Sequence, residues 1–348
     1  QVIYDERSPK YVDHLNKTFY FLEDGRCFIV REETSTGYMH LYLYGIGQGV
    51  LHPITQGEWE VTDFVGLRGD KVYYISTESS PLKRDLYRVG LDGKHKERLT
   101  PGDGYYSIYP SADLSYYICE GGDSSAPGRT DVFNAAGKRV RTLYDNAPLK
   151  EALVEAGLPV REFFTFTTER GDELNGYMLK PLDFDPAKRY PVLLTQYSGP
   201  GSQQVAEGWG PDWEDALVTH GYIVVCVDPR GTGYRGEEFK KLTYGNLGRL
   251  EVEDQISTAR YMARQSYVDP ARIGIYGWSY GGFMALGCAF RGEGLFKMAI
   301  AVAPVTSWRY YDSIYTENFN GLPDDYPKGY DDNSPVNLAH LFRDDSTR

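Results

Sequence analysis

The sequence predicts two folds in tandem, a partial β-propeller of about three blades followed by an α/β-hydrolase sheet. Three observations carry this reading. The first 145 residues repeat with a spacing of 44–46. From Pro159 onward, buried apolar strands alternate with helical segments. Residues 272–290, R-I-G-I-Y-G-W-S-Y-G-G-F-M-A-L-G-C-A-F, form an apolar strand that turns sharply at Ser279 into a small-residue helix.

In the repeated part, His40-Leu41-Tyr42 returns as Asp85-Leu86-Tyr87 and again at Asp131-Val132-Phe133, while Ile54-Thr55 returns as Leu99-Thr100. The unit Asp24-Gly25-Arg26-Cys27-Phe28-Ile29 matches Gly69-Asp70-Lys71-Val72-Tyr73-Tyr74-Ile75 and Ala112-Asp113-Leu114-Ser115-Tyr116-Tyr117-Ile118. Each copy is a turn followed by an aromatic, β-branched strand, and the spacing is that of a four-stranded propeller blade. The 30 tyrosines suit half-buried pleated surfaces, where the ring is covered and the hydroxyl reaches water. A closed ring needs roughly four to eight blades. Residues 1–146 are therefore expected to be the C-terminal part of a longer propeller.

Residues 147–153 read as a short helix closed by Gly157 and Pro159, which gives a linker at 147–158. The α/β part then occupies 159–348. Its clearest strands are 191–196, 222–227, 273–276 and 298–302, apolar runs of the kind that parallel strands buried on both faces require. Residues 213–219 read as a helix, and 250–264 as a helix with Val252, Ile256, Ala259 and Met262 on one face.

Ser279 is the candidate nucleophile of this half. Gly277 and Gly281 flank it because so tight a turn brings backbone against backbone and leaves no room for a Cβ. G-x-S-x-G by itself arises by chance in about one chain in five of this length, so the flanking strand and helix decide the reading. The run Gly231-Thr232-Gly233-Tyr234-Arg235-Gly236 matches a dinucleotide fingerprint after a strand. The residues just beyond it are charged and broken by glycines, with no apolar-faced helix to present its N-terminus to a pyrophosphate, so a structural loop is expected.

A net charge of −12 without any Lys/Arg stripe argues against a nucleic-acid partner. With 41% hydrophobic and 25% charged residues and no apolar stretch of spanning length, the chain reads as globular, with no membrane span. Cys27, Cys119, Cys226 and Cys288 stand singly, without a C-x-x-C pair or a histidine at ligand spacing, so no metal site is expected. Asp324-Asp325 and Asp331-Asp332 lack calcium-loop spacing and read as a solvated loop. The first residues carry neither the basic nor the apolar region of a leader, so they do not reveal the compartment.

The elbow G-W-S-Y-G-G at 277–282 is joined by Gln196-Tyr197-Ser198-Gly199-Pro200-Gly201-Ser202-Gln203, by Asp228-Pro229-Arg230-Gly231, and by Glu251-Val252-Glu253-Asp254-Gln255. Ala303-Pro304-Val305 and Tyr310-Tyr311-Asp312-Ser313-Ile314-Tyr315-Thr316-Glu317 complete the set. With these segments the chain resembles, over nearly its whole length, the prolyl oligopeptidase family and within it the dipeptidyl peptidases. The resemblance implies a serine peptidase that releases N-terminal dipeptides with proline or alanine in second position through an acyl-enzyme. It implies Ser279 as nucleophile, the Tyr197 hydroxyl and the Tyr280 backbone N–H as the oxyanion hole, and Tyr311, Tyr315, Trp308 and Val305 as the lining of the proline pocket. It implies no cofactor, a homodimer for the complete protein, and is consistent with a periplasmic or extracellular location. Proline is a compact ring without an N–H, so aromatic walls accept it without leaving a donor unpaired. Tyr311 and Tyr315 at i and i+4 also fit a core stripe on a helix.

The hydrolase triad runs Ser, then Asp or Glu, then His along a chain. After Ser279 the only histidine is His340, within the helical stretch N-L-A-H-L-F-R, and the family's Asp and His are not recognised before Arg348. Nor is an equivalent of the family's glutamate pair for the substrate amine identified. The chain is thus expected to be a fragment that is inactive alone. A prolyl tripeptidyl or acylaminoacyl peptidase, and a noncatalytic propeller–hydrolase scaffold, stand as alternatives.

Overall fold

Strand alternation decides how the first half packs. In the computed structural model, which describes residues 2–13 and 17–343, this half holds three four-stranded antiparallel sheets, each with its strands in chain order. The first contains β1 (Thr18–Phe21), β2 (Cys27–Glu32), β3 (His40–Gly45) and β4 (Gly49–Pro53). The second contains β5 (Val61–Arg68), β6 (Lys71–Ser76), β7 (Asp85–Gly90) and β8 (Glu97–Arg98). The third contains β9 (Tyr105–Pro110), β10 (Tyr116–Gly122), β11 (Arg129–Asn134) and β12 (Arg139–Tyr144). Successive side chains of β6 point to opposite faces. Val72 and Tyr74 join one core with Ile29, Leu41 and Val61, while Tyr73 and Ile75 join the next with Tyr106, Tyr117 and Phe133. The middle sheet is therefore apolar on both faces, as a stacked blade must be.

The repeat extends to backbone and polar contacts. Gly25, Gly69 and Leu114, at matching places before β2, β6 and β10, all take positive φ (60°, 60° and 55°). The preceding aspartates of the first and third turns accept backbone N–H groups, Asp24 from Arg26 at 2.8 Å and Asp113 from Ser115 at 3.0 Å. His40 meets the Thr55 hydroxyl at 3.0 Å, and Asp85 accepts from Thr100 at 2.6 Å. These are the echoes seen in the sequence, now as buried hydrogen bonds at the same place in two sheets.

The molecule divides into two units, residues 1–156 with 206–210 and 234–238, and residues 157–205, 211–233 and 239–348. Helix α1 (Ala147–Ala156) belongs to the first. A division read at 147–158 along the chain leaves out the two short segments, which belong to the first unit through long-range hydrogen bonds. Glu207 N donates to Leu82 O at 2.8 Å, Gly236 N to Glu60 at 2.8 Å, and Glu237 N to Gly37 O at 2.6 Å.

The second unit is built on one six-stranded sheet in the order β13-β14-β16-β15-β17-β18. Its strands are β13 (Glu162–Thr167), β14 (Glu173–Leu179), β15 (Tyr190–Thr195), β16 (Ile223–Asp228), β17 (Val268–Trp278) and β18 (Met298–Val302). The first two are antiparallel, and β16-β15-β17-β18 run parallel. All six residues of β16 are buried, in keeping with a central parallel strand. Helices α2 (Trp213–Thr219), α4 (Arg249–Ala263), α5 (Tyr280–Arg291), α6 (Ser313–Asn320), α7 (Pro327–Asp331) and α8 (Pro335–Leu338) belong to the second unit, while α3 (Gly236–Lys240) starts within the 234–238 segment of the first. No helix among the described residues is long and apolar enough to cross a membrane.

The structure extends one sequence reading and removes an alternative to another. Helix α4 does bury Val252, Ile256, Ala259 and Met262, but it also buries Glu251, Asp254, Gln255 and Thr258. Its polar residues are buried because each is paired: Asp254 receives the Arg230 guanidinium at 2.7 Å, and Gln255 donates to Val227 O at 2.9 Å. Tyr311 and Tyr315 do not form a stripe, since Tyr311 is extended (φ −91°, ψ 166°) and precedes α6. The glycines of the 231–236 run have structural work instead. A Cβ on Gly231 would strike Thr243 and one on Gly233 the Gly201 carbonyl, while Gly233 N donates to Ser202 O at 2.9 Å.

Candidate active site

Strand β17 ends at Trp278 and α5 begins at Tyr280, so the whole change of direction falls on Ser279. Its φ of 58° and ψ of −113° lie where a side chain is strained. The turn is held on both sides: Ser279 N donates to Val302 O at 2.9 Å, and its own carbonyl accepts from Phe283 N at 3.0 Å. Close approach requires the glycines. A Cβ on Gly277 would collide with the Gly281 carbonyl, one on Gly281 with the Gln196 carbonyl, and one on Gly282 with the Val302 carbonyl. Ser279 itself is part-exposed while Tyr280 is buried.

Tyr197 leaves the end of β15 on the loop beside this turn. Gly199 lacks the Cβ that would strike its ring, and Ser198 adopts a positive φ of 67°. Asp228, at the end of β16, accepts from Gln204 N at 3.0 Å and Val205 N at 2.9 Å. Gln204 in turn accepts from Tyr197 N at 2.5 Å. Burial raises the pKa of the Tyr197 hydroxyl, with a hydrogen bond to Tyr315 acting the other way. It stays an O–H donor at neutral pH.

The aromatic residues gather around Trp308, which is 1% exposed. Its ring is stacked with Tyr315 at 6.0 Å and 16°, lies edge-on to Tyr311 at 6.0 Å, and is 5.5 Å from Tyr280. Tyr311 meets Tyr315 edge-on at 5.5 Å, and Tyr197 is 6.0 Å from Tyr280. Asp312 caps α6 by accepting from Tyr315 N at 2.8 Å, which fixes where the Tyr315 ring starts. Val305 packs on the edge of the same core. Tyr311 is 43% exposed, so one wall of the cluster is open.

Sequence reasoning gave no role to three residues beneath the turn. The Gln196 amide donates to Gly281 O at 2.8 Å while its oxygen accepts from Ser198 at 2.9 Å, and Gln255 donates to Ser198 at 3.2 Å. Glu251 accepts from the Tyr280 hydroxyl at 2.6 Å. The available signal was a set of polar residues on the apolar face of 250–264. In the first unit, the Glu32 carboxylate is engaged locally, accepting from Thr34 at 2.8 Å and Ser35 at 2.5 Å.

A serine on a strained strand-to-helix turn, on a mostly parallel sheet of this order, defines the second unit as an α/β-hydrolase fold. Residues 209–347 match the prolyl oligopeptidase family, and residues 1–127 match the dipeptidyl peptidase IV N-terminal region. The chain belongs to the prolyl oligopeptidase family. It is 41% identical over 315 residues to a probable dipeptidyl-aminopeptidase B of Aspergillus niger, an alignment covering 88% of this chain and 35% of the relative. It is 39% identical over 316 residues to one of Emericella nidulans, again with 88% and 35% covered. Among solved structures, dipeptidyl peptidase 4 of Porphyromonas gingivalis matches with a TM-score of 0.91 at 41% identity, covering 97% of this chain and 48% of that one. A putative dipeptidyl aminopeptidase IV of Bacteroides ovatus matches at 0.87 and 28%, covering 97% and 51%. The chain thus spans about a third of the curated relatives' length and about half of these two crystallised chains.

Proposed function

We propose that the protein containing this chain is a serine exopeptidase that removes dipeptides with proline or alanine in second position from peptide N-termini. The observation that carries the reading is Ser279, held at φ 58° on the elbow with Tyr280 as the first residue of α5. As such, the Tyr280 N–H has no partner within the helix and is free to receive an oxyanion. The Ser279 oxygen forms a bond to the scissile carbonyl carbon, and the carbonyl electron pair moves to oxygen, where Tyr280 N–H and the Tyr197 hydroxyl receive it. The serine proton passes to the histidine base that the resemblance implies, and from there to the leaving amine. Water then hydrolyses the ester. The rings of Tyr311 and Tyr315, backed by Trp308 and joined by Val305, offer a proline ring apolar area that asks for no N–H in return. The dipeptidyl-aminopeptidase relatives support dipeptide release.

The test uses the full-length protein with Gly-Pro-nitroanilide and Ala-Ala-Pro-nitroanilide, together with fluorophosphonate labelling. Preferred turnover of Gly-Pro with the label on Ser279 is the expected result. Preference for the longer substrate makes the protein a tripeptidyl peptidase, and an unlabelled Ser279 makes it a noncatalytic scaffold.

A further inference from the structure

Glu251 is a carboxylate with 0% exposure on α4, and its oxygens do two things. They accept Gly248 N at 3.1 and 3.0 Å, closing the start of α4, and one of them accepts the Tyr280 hydroxyl at 2.6 Å. The Tyr280 ring is itself buried and touches Phe283 at 5.3 Å, Trp308 at 5.5 Å and Tyr197 at 6.0 Å. Tyr280 is thus fixed at both ends, its backbone in the elbow and its hydroxyl on the carboxylate.

We infer that Glu251 is a positioning residue for acylation, which by holding the Tyr280 hydroxyl keeps the start of α5, and with it the Tyr280 N–H, aimed at the oxyanion. This rests on Ser279 being the nucleophile. A strained backbone such as that of Ser279 persists only where its surroundings over-determine it. Relaxing Ser279 requires the adjoining Tyr280 peptide to rotate, and the ring cannot follow while its hydroxyl is bound. The cap on Gly248 accounts for the carboxylate but not for the tyrosine, since a phenylalanine in place of Tyr280 would fill the same space and leave the cap in place. The ring's contact with Tyr197 extends the effect to the second oxyanion donor.

The experiment is a double-mutant cycle in the full-length protein, with kcat and KM for Gly-Pro-nitroanilide expressed per site titrated with fluorophosphonate. Tyr280→Phe and Glu251→Leu are each expected to lower kcat about 10–100-fold while KM stays within about two-fold, because the loss is confined to the transition state. The double variant should fall no further than the worse single one. Glu251→Gln, whose amide oxygen still accepts the hydroxyl, should recover to within about three-fold of wild type. Additive losses, a raised KM at unchanged kcat, or full turnover by Tyr280→Phe would overturn the inference. Should Glu251→Leu not fold, Tyr280→Phe against Glu251→Gln decides the matter alone. A wild-type protein whose Ser279 takes no label overturns the nucleophile assignment and this inference together. Labelled Ser279 with unaltered turnover in Tyr280→Phe overturns this inference only.

Discussion

The side-chain amide of Gln196 donates to the main-chain carbonyl of Gly281 at 2.8 Å, tying the residue after β15 to the first turn of α5. The two are far apart in sequence, and the parallel pairing of β15 with β17 brings them together. Gln196 is 3% exposed, so removing its amide leaves buried polar groups with fewer partners. Gln196→Leu should cost about 1–3 kcal/mol of stability. Thermal or urea unfolding of the second unit measures this, and an unchanged midpoint would show that the tie is idle.

Ser279→Gly addresses the strain directly. At φ 58° and ψ −113° a serine carries a conformational cost that glycine escapes. The substitution should abolish turnover and yet stabilise the fold by about 1 kcal/mol, after allowing for glycine's greater entropy when unfolded. A lower unfolding midpoint for Ser279→Gly than for Ser279→Ala would mean that the elbow is not strained.

Tyr197→Phe removes one hydroxyl and keeps the ring packed against Tyr280. If that hydroxyl meets charge that develops only in the transition state, kcat should fall about 10²–10³-fold in the full-length protein with little change in KM. A higher KM at constant kcat would instead assign Tyr197 to ground-state binding.

Tyr315→Ala removes the ring stacked on Trp308 and in contact with Tyr311 and Phe319. For a Gly-Pro substrate the loss in kcat/KM should be on the order of 2–4 kcal/mol, by analogy with deleting a buried aromatic ring. A Gly-Leu substrate should lose less. Equal losses accompanied by a drop of several degrees in Tm would make Tyr315 a core residue only.

Burial pushes the Glu251 carboxyl up from 4.5 to about 7, with hydrogen bonds from Tyr280 and Gly248 acting against it and the charge of Asp254 adding to it. Between those values the folded state holds a proton that the unfolded state has released. Its contribution to stability is therefore full below about pH 4.5 and is lost as pH rises through about 7, a change of roughly 3 kcal/mol at most. Glu251→Gln removes this slope. The Tm of the variant relative to wild type should accordingly be higher at pH 8 than at pH 5, and a difference independent of pH would place the titration elsewhere.

The sequence by itself determined those features whose causes are local. The blade repeat was legible because turn chemistry and period-two alternation act within a few residues, so Gly25, Gly69 and Leu114 fall at the same place in three successive turns. The elbow was legible for the same reason: Gly277, Ser279 and Gly281 must share one tight turn whatever surrounds them. Gln196 gave no local signal of its work, Glu251 and Gln255 gave only their place on the apolar face of 250–264, and 206–210 and 234–238 gave none of the unit they join. A polar side chain on a helix is ordinarily solvated, and whether it is buried and paired depends on what the crossovers of the sheet lay against it. Tertiary structure alone decided that the polar residues of α4 face inward, because the partners that offset their desolvation, Tyr280, Ser198, Val227 and Arg230, lie on segments far along the chain.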